Sequence, residues 1–192
     1  LKHGVDKEHG GIFSCLDRDG SVFDTDKSVW IQGRFAWLMA TLCLQVEQRP
    51  EWLTAARNTI ELIEQHCYDV DGKMFFQVTA SGQPLRKRRY AYSEAFACMA
   101  HAAYAKASGN EQSAERARHL FRQYIDWNFT PHRMPPKHMP TRPTIGIGPR
   151  MIAIGIGQVL QETVGDPLAE EWINRCIDEV RRWFVKPELE AV

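Results

Sequence analysis

The sequence predicts an all-α fold, a double-layered α/α solenoid or toroid built from inner and outer helices. Three observations lead there. Helical periodicity dominates the chain. Two kinds of helix alternate along it, one apolar nearly all round and one apolar on a single face. The short links QRPEW, SGNEQ and VGDPL recur at about 60-residue spacing, which marks a repeated helical hairpin.

The first element is a β-ribbon. GGIFSCLDRDGSVFD carries short β-prone runs on either side of Asp-Arg-Asp-Gly. It leads into a helix over residues 28–47 that is apolar or small almost throughout. Residues 51–66 form a one-sided helix, with Trp52, Leu53, Ala56, Ile60 and Ile63 on its core face. A second ribbon, DGKMFFQVTASGQPL, precedes an alanine-rich helix over 92–108. Residues 111–127 are again one-sided, through Ala114, Ala117, Leu120, Phe121, Tyr124 and Ile125. The next segment, TPHRMPPKHMPTRPT, is too rich in proline for a regular helix and is expected to be a loop. Pro149 suits the first turn of a helix over 149–163. A one-sided helix over 168–184 closes the series, with Leu168, Trp172, Ile173, Cys176, Ile177, Val180 and Phe184 inward. A helix apolar all round is expected to be buried on all sides, so 28–47, 92–108 and 149–163 form the inner layer.

The 192 residues fit one domain, 1–192. Twenty-four Lys and Arg balance 24 Asp and Glu, which argues against nucleic acid or an anionic membrane as the main partner. The five cysteines are widely spaced with no C-x-x-C, which points to reduced thiols, not a disulfide frame or a zinc site. No signal peptide opens the chain, and the uncharged run over 35–46 is too short to span a bilayer. A cytoplasmic location follows as the expectation.

Lone charges mark the expected site. Arg34 is the only charged residue in SVWIQGRFAWLMATLCLQV and shares a helical stripe with Trp30 and Trp37. Glu94 and Arg150 are similarly isolated near the starts of the other two inner helices. If these helices ring one axis, the charges meet at one end, in a pocket with Trp30, Tyr90 and Tyr92. Aromatic platforms with sparse charges suit a sugar. The competing reading is a buried structural ion pair between Arg34 and Glu94. GIGPRMIAIGIG lacks a βαβ setting for a dinucleotide, and Asp17, Asp19, Asp24 and Asp26 lack the calcium loop's closing Glu. His101 is expected to be a core histidine, and His132 and His138 loop residues.

The blocks HGGIFSCLDRDGSVFDTDKSVWIQGRFAWLMATL, RPEWLTAAR, DGKMFFQVTASGQPL and YSEAFACMAHAAYAKASGN, in that order, resemble the N-acylglucosamine 2-epimerase family. The resemblance implies an (α/α)6 barrel about twice this length, of which the chain is about half. A helix before residue 1 and the C-terminal half, with the family's catalytic histidines, would then be absent. It implies a sugar 2-epimerase working through an enediolate, with no cofactor. The alternatives are a mannose-isomerase type of aldose–ketose isomerase, an α/α-barrel glycosidase, or a non-catalytic binding scaffold. Arg34 matches the family's active-site arginine and is the catalytic candidate. Trp30, Tyr90, Glu94 and Arg142 are the substrate-binding candidates. The expected partner is a small-molecule sugar. A missing half, or a second copy in a homodimer, would cover the open apolar edge.

Overall fold

The computed structural model describes residues 1–88, 90–136 and 138–190. Among them six α-helices occur: α1 (Val29–Gln45), α2 (Pro50–His66), α3 (Tyr92–Ser108), α4 (Glu111–Phe129), α5 (Gly148–Thr163) and α6 (Pro167–Trp183). Each lies within about two residues of the expected span. None is long and apolar enough to cross a membrane. Proline opens α2, α5 and α6, while Asn110 and Asp166 cap α4 and α6 through the backbone N–H groups of Ser113 and Leu168. The turn from α3 to α4 passes through Gly109, whose φ of +72° is the left-handed conformation glycine adopts without strain.

α1, α3 and α5 form one layer, with α3 in the middle and the outer helices packed behind. All three start at the same end. Trp30 of α1 contacts Tyr92 and Phe96 of α3, and a Cβ on Gly148 at the start of α5 would fall 2.6 Å from the Tyr92 hydroxyl. At the far end Trp37, Thr41, Lys106, Val159 and Glu162 line a shared cleft, so the layer curves and has a concave face. α1 and α3 approach closely because position 33 has no side chain: a Cβ there would lie 2.8 Å from the Phe96 backbone.

The expectation that all three inner helices are buried on every side holds for α3 alone. α3 has neighbours on both flanks and behind, and its residues from Ser93 to Cys98 are all buried. α1 and α5 stand at the edges of the layer. Arg34, Leu38 and Leu44 of α1 and Met151, Gly155 and Gln158 of α5 are exposed.

The ribbons sit where the sequence places them. β1 (Cys15–Leu16) pairs with β2 (Val22–Asp24), and β4 (Phe75–Val78) with β5 (Pro84–Lys87), both antiparallel. Beyond the sequence reading, β3 (Lys27–Ser28) adds to β4, with Lys27 opposite Val78. Lys27 is fully buried, and its ammonium group donates to Asp6 Oδ2, the Gly10 carbonyl and the Ala80 carbonyl, each at 2.7 Å. All three donors are used. Burial alone would push the Asp6 carboxyl up, but the Lys27 contact and the backbone N–H groups of His9 and Glu8 hold it below its usual range. One step along, Gln32 accepts from the Ile12 N–H and donates to the Ile12 carbonyl, both at 2.8 Å. These two side chains tie the N-terminal segment to α1.

Two stability effects follow. Lys27→Met leaves the Asp6 carboxylate buried without its cation and is expected to cost about 3–5 kcal/mol in urea denaturation. Gly33→Ala forces α1 away from Phe96 and is expected to cost about 1–3 kcal/mol by the same measurement.

Candidate functional site

The N-terminal ends of the inner helices form a ring-lined mouth. Trp30, in the first turn of α1, meets Phe76 of β4 edge-on at 5.1 Å between centroids, Tyr92 at 5.5 Å and Phe96 at 5.9 Å. Tyr90 continues the cluster, 5.5 Å from Tyr92. Tyr92 and Phe96 are four residues apart on α3 and so share its concave face.

Two guanidinium groups lie on these rings. Arg34 sits over Phe96 at 4.1 Å and Arg88 over Phe76 at 4.8 Å. Neither has a carboxylate within ion-pair distance among the described residues. Arg34 is exposed on the concave face, one turn from Trp30 and in line with Trp37 and Thr41. The N-termini of three helices point to the same end, which adds partial positive charge there. The mouth is thus apolar in its walls and electropositive in its fixed groups, a setting that favours an oxygen carrying negative charge.

Arg34, Trp30 and Tyr90 therefore come together. Glu94 does not join them. It is two residues from both Tyr92 and Phe96, about 200° around the helix, and so faces the opposite way. It is 1% exposed, and its Oε1 accepts the Met74 backbone N–H at 2.7 Å. Its Oε2 is buried with no hydrogen-bond partner among the described residues. The Arg34–Glu94 ion pair considered from sequence is absent among the described residues. Desolvation raises the Glu94 pKa to about 7, against the smaller opposing effect of the Met74 hydrogen bond. Arg142 is exposed in the loop before α5, where its backbone N–H donates to the Met139 carbonyl. No ring contact joins its side chain to Trp30 among the described residues. Arg150, the third isolated charge, bonds Glu179 of α6 through Nε at 2.8 Å and the Gly146 carbonyl at 2.9 Å, and belongs to the α5–α6 packing.

Phe76, Phe96 and Arg88 were not singled out from sequence. Phe96 was reachable, because its four-residue spacing from Tyr92 predicts a shared stripe. Phe76 and Arg88 depend on how β4 and β5 fold onto α1, which periodicity does not encode.

A cleft of about 540 Å³ lies on the other side of α3, between α2 and α4. Its central carboxylate is already engaged: Glu64 accepts from His101 Nε2, Arg116 and the Tyr68 hydroxyl. Burial alone would push the Glu64 carboxyl up, and the His101 and Arg116 contacts hold it below its usual range. His101 is a core histidine, though its Nδ1 is buried without a partner among the described residues. No group of three or more His, Cys, Asp or Glu among the described residues could hold a metal ion.

The sequence profile of the N-acylglucosamine 2-epimerase family matches residues 11–143. Among curated proteins, the N-acylglucosamine 2-epimerase of Bos taurus is 35% identical over 131 residues, which cover 66% of this chain and 31% of that protein. The cellobiose 2-epimerase of Eubacterium cellulosolvens is 26% identical over 123 residues, covering 63% of this chain and 30% of that protein. The crystal structure of a sugar epimerase from a ruminal bacterium superposes with a TM-score of 0.80 at 20% identity, covering 96% of this chain and 51% of that one. This chain thus spans about a third of each curated relative in its aligned part and about half of the similar structure.

The raised Glu94 pKa has a defined consequence. Between the ordinary value of 4.5 and about 7, the folded protein keeps a proton that the unfolded chain has released. The unfolded state binds fewer protons there, so stability falls as pH rises through the window and levels off above it. The loss amounts to something on the order of 3 kcal/mol. Glu94→Gln should remove this component, so the stability difference between variant and wild type in urea should shift between pH 5 and pH 8.

Proposed function

Because this chain belongs to the N-acylglucosamine 2-epimerase family, we propose that it forms the sugar-facing mouth of a carbohydrate 2-epimerase. The reaction is the interconversion of N-acyl-D-glucosamine and N-acyl-D-mannosamine, or of a related aldose pair. One observation carries the reading: an exposed guanidinium, Arg34, without an acid partner among the described residues, beside a wall of aromatic rings on the concave face.

The chemistry is proton transfer beside a carbonyl. The sugar ring opens to the aldehyde, a base removes the C2 proton, and the electrons pass to O1, giving an enediolate. Proton return to C2 from the other face gives the epimer, and return to C1 would give a ketose. Trp30 and Tyr92, both partly exposed, supply flat apolar surfaces for the C–H faces of the sugar, and the buried Phe96 ring backs them beneath Arg34. Arg34 does not deprotonate, so it serves as a fixed cation for the developing oxyanion. A histidine has the pKa range suited to the base, and in this proposal it comes from the half of the family domain that this chain does not span. The same half would cover Leu38, Leu44 and Met151, the exposed apolar residues of the layer's edge helices.

A glycosidase would need a carboxyl pair flanking the sugar. Glu94, the isolated acid, is turned to the far face of α3. Four of the five thiols are buried and none is paired, which supports a reducing compartment such as the cytoplasm.

Arg34→Lys tests the reading in the intact protein. The lost fork geometry is expected to lower kcat by roughly 10²–10³-fold, the range for removing one oxyanion donor. Stability should change by less than about 1 kcal/mol, since only an exposed cation–ring contact is lost. C2 proton exchange in deuterated water, followed by sugar NMR, measures the first effect and separates epimer from ketose. Wild-type exchange with a clear loss of thermal stability would make Arg34 a structural residue.

A further inference from the structure

Glu94 faces away from the mouth, yet it is two residues of chain away from it. Its Oε1 holds the Met74 N–H at 2.7 Å, and the neighbouring Ser93 hydroxyl donates to the Phe75 carbonyl at 3.0 Å. Residues 93 and 94 of α3 thus grip the root of β4 at two consecutive positions. The next residue is Phe76, whose ring meets Trp30 edge-on and lies under the Arg88 guanidinium at 4.8 Å. Residues after α2 add to the grip: the Phe75 N–H donates to the Cys67 carbonyl at 2.8 Å, and Tyr68 bridges to Met74.

We infer that Glu94 is a positioning residue of the mouth: through Met74 it fixes the root of β4 and so sets where Phe76 and Arg88 lie beside Trp30. Only the identity of the mouth's ligand rests on the sugar-epimerase reading. The placement of β4 by Glu94 stands on the contacts themselves. The carboxyl is balanced between its two protonation states near neutral pH by burial. The charged and titratable groups around it are Lys73 in the loop before β4, Lys87 of β5 and Tyr68 after α2. Lys87 is committed to Asp69 and Asp71, and Tyr68 to Glu64, so the carboxyl is held by backbone N–H groups, that of Met74 and its own. When the carboxylate is ionised the Met74 bond is charge-assisted and strong, and when it is protonated the bond weakens. For local openings that leave Glu94 buried, the ribbon is then held more firmly above pH 7 than below it, while global stability still falls through the same window.

The test compares wild type with Glu94→Gln, which keeps an acceptor but does not titrate, and Glu94→Ala, which removes the acceptor. Amide hydrogen exchange at residues 74–78 and 84–88, corrected for the intrinsic pH dependence of exchange, reads the ribbon. Protection against local opening in wild type should rise between pH 6 and pH 8, stay flat in Glu94→Gln, and in Glu94→Ala be flat and roughly tenfold below wild type above pH 7, as expected for one lost charge-assisted bond. Titration with N-acetyl-D-glucosamine reads the mouth, and its dissociation constant should follow the same three patterns. Unchanged ribbon protection in Glu94→Ala overturns the inference whatever the sugar does. Altered protection with unchanged sugar affinity overturns the link to the mouth. If wild type does not bind the sugar, the epimerase reading fails and the exchange result alone decides the role of Glu94. If Glu94→Ala does not fold, the Met74 amide decides by NMR. Its shift should follow the ionisation of Glu94 in wild type and show no such step in Glu94→Gln, and a Met74 shift that does not follow the Glu94 carboxyl overturns the inference.

Discussion

The mouth depends on one close approach, that of α1 to α3 at Gly33. With no side chain there, the two helices meet backbone to backbone beside Phe96. That contact sets their relative height. Trp30, three residues before Gly33, then comes level with Tyr92, and Arg34, one residue after it, comes over the Phe96 ring. A larger residue at 33 would separate the helices, and the aromatic wall and the guanidinium that rests on it would no longer share a surface. The same parallel packing carries the helix starts to one end, where α5 joins them against the Tyr92 hydroxyl at Gly148.

The rim needs a second kind of constraint, because short strands hold little structure by themselves. Lys27 supplies it by binding three segments at once: the N-terminal residues at Asp6 and Gly10, the turn of the β4–β5 ribbon at Ala80, and its own strand β3. A buried ammonium is tolerable only when every donor is matched. The match works by geometry, since the carboxylate neutralises the charge and the two carbonyls take the remaining protons. The ribbon is therefore anchored at both ends, at its turn by Lys27 and at its root by Ser93 and Glu94.

The helices were legible in the sequence because each carries a local signal: a long apolar run, a one-sided stripe, a proline at the start or a glycine at the end. The contrast between α3 and its flanking helices was not. All three inner helices have similar apolar composition, and which of them is enclosed depends on having neighbours on both sides, a property of the assembled layer. Lys27 illustrates the same limit. In sequence it is an ordinary polar residue before a helix, beside Asp26, and nothing local distinguishes a cation that two distant segments enclose from one that faces water. Glu94 was noticed for its isolation, but isolation does not say which way a side chain points. Its two-residue offset from Tyr92 did contain that information, through the 100° step of the helix.

Arg34, Glu94 and Arg150 share one sequence pattern and meet three different environments, and the physical difference lies in what the neighbouring element offers. Arg150 meets Glu179 from α6, so its charge is compensated within the fold. Glu94 meets backbone and apolar side chains, so burial pushes it towards its neutral form. Among the described residues, Arg34 meets a ring and no carboxylate. A cation over a ring gains about 0.5–1 kcal/mol at an exposed site, enough to orient the guanidinium and too little to neutralise it. In the proposed reaction this matters, because an arginine already paired with a carboxylate would have its field cancelled where the oxyanion forms. A ring holds the guanidinium in place without cancelling its charge. Its attraction then grows as negative charge builds on the substrate oxygen, so it stabilises the enediolate more than the neutral aldehyde, as catalysis requires.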